Sequence, residues 1–88
     1  MEKPRVSGGV QIEELGSEVV VCHPEAFKVF HLNNLAALIL YHCDGNRSPD
    51  EIVREVGGLV RGAEAGMVER DVLRTLETLK QHKILVDA

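Results

Sequence analysis

The chain has 88 residues, enough for one small domain but with little room for a deep catalytic cavity. Ten Lys and Arg against fourteen Asp and Glu give a net charge of −4, which opposes binding to phosphate backbones and to anionic membranes. The chain has neither a basic-then-apolar signal sequence nor an apolar run close to the roughly 20 residues that span a bilayer. We therefore expect a cytoplasmic protein that presents a binding surface.

The N-terminal segment, residues 1–9, shows no hydrophobic periodicity and contains Pro4 and the pair Gly8-Gly9. Proline and paired glycines are typical of loops. We therefore expect a flexible segment here, followed by a single domain over residues 10–88.

Three strands are predicted next along the chain. The alternation of residues 10–14 and the β-branched run of residues 18–22 flank a Gly16-Ser17 turn, a pattern typical of a hairpin. Residues 27–32 predict a third strand, whose side chains alternate between two faces. We expect these strands to form one antiparallel sheet.

The first predicted helix is continuously apolar over residues 35–41. Asn33 is a favoured N-cap residue, and Gly45 can supply the left-handed conformation that ends a helix. Because the helix has no polar face, most of its sides must be covered. It is therefore predicted to be the central core helix.

The second helix has a clear start signal. Ser48 and Glu51 form a capping box, and Pro49 stands at the first helical position, where its missing N–H costs nothing. The pair Gly57-Gly58 is expected to end this helix.

The third helix is predicted over residues 67–82. At about 100° per residue, its main apolar positions form a narrow stripe, whereas Leu73 lies on the border of that stripe. An apolar residue there either widens the core face or lines an exposed groove. Residues 84–86 are expected to close the domain as a short packed tail. The predicted core stripe consists of Val68, Val72, Leu76 and Leu79.

Two cysteines each stand next to a histidine, as Cys22-His23 and His42-Cys43. Four such ligands could hold zinc. Strand neighbours point to opposite faces, however, and helical neighbours diverge by about 100°, so the spacing disfavours a common metal ion. A Cys-His nucleophile is also disfavoured because no third orienting residue is evident. We expect no metal, and cysteines that are reduced and buried as small apolar residues.

The middle of the chain contains a distinctive pattern, which reads Leu32-Asn33-x-x-Ala36-Ala37-x-Ile39-Leu40-x-x-Cys43-Asp44-Gly45-x-Arg47, followed by Glu51-Ile52-Val53. This pattern resembles the PqqD family, small peptide-binding proteins of pyrroloquinoline quinone biosynthesis whose relatives are often called precursor-peptide recognition elements. If the order of the predicted elements is also compared, the resemblance covers about residues 10–86.

This resemblance implies an α+β, winged-helix-like fold with a three-stranded antiparallel sheet followed by three helices. In that family the third strand is a sheet edge, and the groove between it and the third helix receives the leader region of a ribosomally made precursor peptide by strand addition. The resemblance implies a non-catalytic adaptor without a cofactor. Its second partner is expected to be a modifying enzyme, such as a radical S-adenosylmethionine enzyme, a cyclase or a protease.

Carried over to this chain, the resemblance places a backbone ladder on the third strand, and an apolar wall with a charged rim on the third helix. The alternative for the charged residues is a solvated face, with Glu77 offset three residues from both Arg74 and Lys80 for surface ion pairs. The predicted peptide-binding residues are Lys28, Val29, Phe30, His31, Leu32, Arg70, Leu73, Arg74, Leu76, Glu77 and Lys80.

The alternative function is a winged-helix DNA-binding transcription regulator, since three helices and a small sheet also suit that role. The third helix would then read the DNA. Residues 67–83 contain four basic and three acidic residues, too even a balance for anchoring on phosphates. Charge therefore favours the peptide-binding adaptor, with no nucleic-acid partner.

Overall fold

The computed structural model describes residues 2–23, 25, 28–60 and 64–87. Within these ranges the chain forms short strands and three helices, so the predicted α+β class is confirmed. None of these helices is long and apolar enough to cross a membrane. The elements in chain order are β1 (Pro4–Val6), β2 (Gln11–Leu15), β3 (Glu18–His23), β4 (Lys28–Leu32), α1 (Asn34–Tyr41), α2 (Pro49–Leu59), α3 (Ala65–Gln81) and β5 (Leu85–Asp87).

The main sheet is antiparallel with the order β2-β3-β4, so β4 is an edge strand, as the family resemblance implies. On its inner face, Val21 of β3 pairs with Ile12 on one side and with Phe30 on the other. Val21 is fully buried, and both partners pack against the hydrophobic core. The third strand was predicted to begin at Phe27, which lies outside the described residues.

A second sheet joins the two ends of the described chain. β1 pairs antiparallel with β5, with Arg5 opposite Val86, and Arg5 also forms a bridge to Asp44. The carbonyl of Pro4 accepts a hydrogen bond from the backbone N–H of Gly45 at 3.0 Å. The start of the chain is thereby tied to both its end and the loop that follows α1.

This pairing corrects the prediction of a flexible segment over residues 1–9, which is wrong for β1. The order of β1 comes from contacts with residues about 40 and 80 positions away, and such contacts leave no local sequence pattern. The tail predicted at residues 84–86 is packed as expected, with Ile84 and Leu85 buried, and it also supplies strand β5. The predicted domain boundary at residue 10 stays a prediction.

α1 lies in the core, with Ile39 and Leu40 almost completely buried. The Asn33 side chain caps it by accepting a hydrogen bond from the Ala36 N–H at 2.8 Å, as predicted. The prediction that Gly45 ends this helix is wrong. The helix ends at His42 in the right-handed conformation, because its N–H bonds the carbonyl three residues back and tightens the last turn.

Gly45 lies three residues farther on, with φ +83°, in the loop between α1 and α2. Arg47 fixes this loop by pairing with Asp44 and, at 2.6 Å, with Glu55 of α2. The Asn46 backbone N–H donates to Asp44 at 2.9 Å, and this bond, together with Arg47, lowers the pKa of the Asp44 carboxyl. Asp44, Gly45 and Arg47, which carry the family resemblance, therefore hold the architecture together.

α2 begins with the predicted capping box between Ser48 and Glu51. It does not end at Gly57-Gly58 as predicted but continues to Leu59. Each glycine costs a helix about 1 kcal/mol relative to alanine. Packing against α3 offsets this cost, since α2 buries Ile52 and Val56 in the core.

α3 is the longest helix and begins two residues earlier than predicted. All four residues of its predicted core stripe are buried, which confirms the periodicity argument. Leu73, on the border of the stripe, is 41% exposed and so does not simply widen the core face.

Candidate functional site

The open edge of β4 is the most distinctive feature of the sheet. β4 pairs with β3 on one side, and no strand in the described ranges pairs with its other side. In an antiparallel ladder, alternate residues of an edge strand direct their N–H and C=O groups away from the neighbouring strand. β4 contains no proline and one fully charged side chain, Lys28, so nothing in it prevents a further strand from pairing.

β2 forms the opposite edge of the same sheet. It carries Glu13 and Glu14, and the Tyr41 hydroxyl at the end of α1 donates to Glu14 at 2.6 Å. This hydrogen bond raises the pKa of Tyr41. The two edges therefore differ, since β2 carries adjacent acidic side chains and is tied to α1.

A contact between rings joins β4 to His82, the residue that directly follows α3. The rings of Phe30 and His82 have centroids 4.7 Å apart, with their planes tilted by 47°. Helical geometry places three polar residues of α3 on the same side as His82, at about 100° per residue. Asp71 and Thr75 are half-buried there, whereas Thr78 is exposed. We call the free edge of β4, with Asp71, Thr75, Thr78 and His82, the β4–α3 surface.

A separate cavity of about 410 Å³ lies on another side of α3. No β4 residue is among the described residues that line it. Leu73 and His82 are nine positions apart, so their side chains point to roughly opposite sides of the helix. We call this cavity the Leu73 pocket. It is lined by Pro49, Leu73, Leu76, Glu77 and Lys80.

The charged residues of α3 do not form the surface pairs considered from the sequence. Lys80 instead pairs with Asp87 of β5 at 2.8 Å, and this hydrogen bond lowers the pKa of the Asp87 carboxyl. Within the described ranges, Glu77 and Arg74 form no ion pair. The interpretation of Glu77 as a partner of Arg74 and Lys80 is therefore wrong, because Lys80 reaches the neighbouring strand.

The structure thus divides the residues predicted for the site into two groups. The five residues of β4 form the open sheet edge, whereas Leu73, Leu76, Glu77 and Lys80 line the Leu73 pocket. Arg70 and Arg74 are exposed on the solvent side of α3. The peptide-binding role of all these residues stays a prediction.

Sequence reasoning missed the residues of α3 that share the side of His82. Asp71, Thr75 and Thr78 are polar, so they add nothing to an apolar stripe. The helical period identifies the core-facing side, but it does not say which flank of that side meets the sheet. The available signal in the sequence was a pair of rings, the phenyl ring of Phe30 in the third strand and the imidazole of His82 at the end of the third helix.

The two cysteines occupy different environments. Cys43 lies just after α1 and is buried as predicted, and its thiol donates to the Ile39 carbonyl at 3.2 Å. Burial raises the pKa of this thiol to about 12. Cys22 is only half-buried, because it belongs to the outer face of the sheet, whereas its neighbour His23 is buried on the inner face. Among the described residues, no three potential metal ligands come together.

These environments predict selective alkylation. At pH 8 a thiol with a pKa near 12 is ionised in only about one molecule in ten thousand, so native Cys43 should resist iodoacetamide while Cys22 reacts. Mass spectrometry of peptides after brief labelling measures both sites. Labelling in urea, where both thiols are exposed, is the control. Equal labelling of the two cysteines in the native protein would contradict the burial of Cys43.

An open sheet edge offers unpaired backbone groups with which a further strand can pair. The family model for coenzyme PQQ synthesis protein D (PqqD) matches residues 18–85, and the chain belongs to the PqqD family. The resemblance predicted from the sequence is thereby confirmed. No curated protein matches the chain in sequence.

Three solved structures are similar to this chain over nearly all of it. TbiB1 in complex with the TbiA(beta) leader peptide is 25% identical, with a TM-score of 0.79 over 92% of this chain and 93% of that chain. Lasso peptide synthetase B1, complexed with the leader peptide, is 19% identical, with a TM-score of 0.81 over 96% and 98%, and supports the fold alone.

The third similar structure is the PqqD truncation of Methylobacterium extorquens PqqCD, described as a functional and stand-alone recognition element for ribosomally synthesised and post-translationally modified peptides. It is 27% identical to this chain. The TM-score is 0.74, over 94% of this chain and 87% of that chain. The predicted fold is therefore that of PqqD-like recognition elements.

Proposed function

We propose that this chain is a non-catalytic adaptor of the cytoplasm, where ribosomes make its ligand. It binds the leader region of a ribosomally made precursor peptide at the free edge of β4 and presents the peptide to a modifying enzyme. The open edge of β4 is the observation that carries this proposal. Membership of the PqqD family supports it, as does similarity to TbiB1, which binds a leader peptide.

Strand addition separates affinity from specificity. The backbone groups of β4 can bond any extended peptide, whereas the side chains next to the edge select among sequences. We assign that selection to the β4–α3 surface, because the contact between Phe30 and His82 brings the C-terminal end of α3 next to β4. Asp71, Thr75 and Thr78 make this side of α3 polar, so leader residues that face it are expected to form hydrogen bonds.

The family resemblance predicted that Leu73 and Leu76 form the apolar wall for the leader. Both residues line the Leu73 pocket, which is therefore the alternative wall to the β4–α3 surface. Leu73 and Pro49 offer it an apolar lining, but the pocket lies on the far side of α3 from the contact with β4. A peptide that pairs with β4 therefore meets Thr78 more directly than Leu73.

Three classes of modifying enzyme fit this proposal. A radical S-adenosylmethionine enzyme, a cyclase or a protease would each use an adaptor in the same way. The chain itself is assigned no chemistry in this proposal. The PqqD truncation similar to this chain is described as a stand-alone recognition element.

Isothermal calorimetry tests the proposed function. The ligand is the N-terminal region of any short peptide that a gene neighbouring that of this chain encodes, with a scrambled version as the control. We expect one leader to bind per chain, with affinity changing less than about threefold between 0.1 and 0.5 M salt, since backbone hydrogen bonds are little affected by ionic screening. Duplex DNA should not bind at physiological salt. Sequence-specific retardation of DNA without leader binding would instead support a transcription regulator.

A further inference from the structure

The sheet has an outer face that does not belong to the hydrophobic core. The inner-face residues Val21, Phe30 and Leu32 are part of the core or pack against it, whereas their neighbours in sequence point the other way. We call the outward-pointing side chains of the three strands the outer sheet face. They are Gln11, Glu13, Leu15, Glu18, Val20, Cys22, Val29 and His31.

The outer sheet face has an apolar centre that crosses all three strands. Cys22 of β3 lies opposite Val29 of β4. Val20, two residues before Cys22 on the same strand, lies diagonally across from Leu15 of β2, whose direct partner is Glu18. Leu15 is 56% exposed and Val29 is 58% exposed. The solvated face of an antiparallel sheet is usually polar, so a continuous apolar centre here indicates a partner.

Acidic side chains border this apolar centre. Glu13 lies opposite Val20, and Glu18 lies opposite Leu15. Neither carboxylate forms an ion pair with any part of the chain that the structure describes. Two copies of this chain packed face to face would bring these carboxylates together, so the face is unsuited to a homodimer. It is complementary to an apolar surface bordered by Lys and Arg.

We infer that the modifying enzyme docks on the outer sheet face through an apolar patch bordered by basic residues. The inference rests on the proposed adaptor function. A leader strand added to β4 would extend this same face beyond Val29, so an enzyme seated there lies next to the leader it must modify. The β4 edge itself stays free for the peptide.

The test uses Leu15→Lys and a purified modifying enzyme, chosen as one that a gene neighbouring that of this chain encodes. Leu15 is exposed and faces Glu18, so a lysine there gains an opposite-charge neighbour and leaves the fold intact. It also places a positive charge in the apolar centre, against the basic border of the enzyme. We expect enzyme affinity to fall at least tenfold and leader affinity to stay within twofold of wild type.

Leu59→Lys is the matched control, because Leu59 is 60% exposed at the end of α2, away from the sheet. It should bind the enzyme like wild type. Glu13→Lys changes only the charge, and should also weaken enzyme binding, more strongly at low salt. Wild-type binding of the enzyme by Leu15→Lys, or no enzyme binding by the wild-type chain, would overturn the inference. Because the enzyme titration needs no leader, the leader titration separately decides the proposed function.

Discussion

Replacing Val72 with glutamate is expected to leave the chain largely unfolded at 25 °C. Val72 is fully buried in the core stripe of α3. A carboxylate placed there without a partner costs several kcal/mol, and the lost packing adds to this cost. Domains of this size are stable by only about 5–15 kcal/mol, commonly near the lower end. Circular dichroism during thermal and urea unfolding measures the effect.

Leu73→Glu is the matched control for this prediction. It makes a similar change to glutamate at the next position along the helix, but Leu73 is 41% exposed and its carboxylate can stay hydrated. We expect its melting temperature to remain within a few degrees of wild type. A Val72→Glu variant that melts like wild type would mean that α3 does not pack on the core as described.

The second large effect concerns the position of the leader on α3. Thr78→Trp should weaken leader binding at least tenfold, because the indole would occupy the β4–α3 surface beside His82. Thr78 is exposed, and tryptophan costs an exposed helix position less than 1 kcal/mol, so the fold should persist. A bulky neutral side chain blocks the site whatever the charge of the leader. Calorimetry with the leader, alongside thermal melts, measures both properties.

Leu73→Trp provides the matched comparison on the other side of the helix. It fills the Leu73 pocket instead of the β4–α3 surface, so leader affinity should stay within about threefold of wild type. The reverse result, with weakened binding in Leu73→Trp and normal binding in Thr78→Trp, would place the leader against the wall predicted from the family resemblance.

Local sequence signals predicted the helices well. The Asn33 cap, the capping box at Ser48 and the core stripe of α3 all depend on residues within a few positions of one another. Such signals can be read from local sequence because the backbone hydrogen bonds of an α-helix join residues four positions apart. The predicted end of α2 was wrong because it depends on a distant contact. Gly57 and Gly58 remain helical owing to packing against α3, which local sequence does not reveal.

Features that depend on distant contacts were harder to predict. β1 is three residues long and is ordered by β5 and by the loop after α1. The position of β4 at the sheet edge was expected from the family resemblance, because strand patterns do not specify the order of strands. For the site, the core-facing side of α3 was predictable, but the flank that meets Phe30 was not.

Hydrogen exchange at the backbone amides of β4 tests strand addition most directly. A peptide paired with the free edge bonds only those amides that point away from β3, and these alternate along the strand. On adding the leader, we expect slower exchange at every second residue over residues 28–32, with the amides of β2 at the opposite edge unchanged. Exchange rates that stay the same throughout β4 while the leader is bound, or protection gained at β2 instead, would contradict leader binding at this edge.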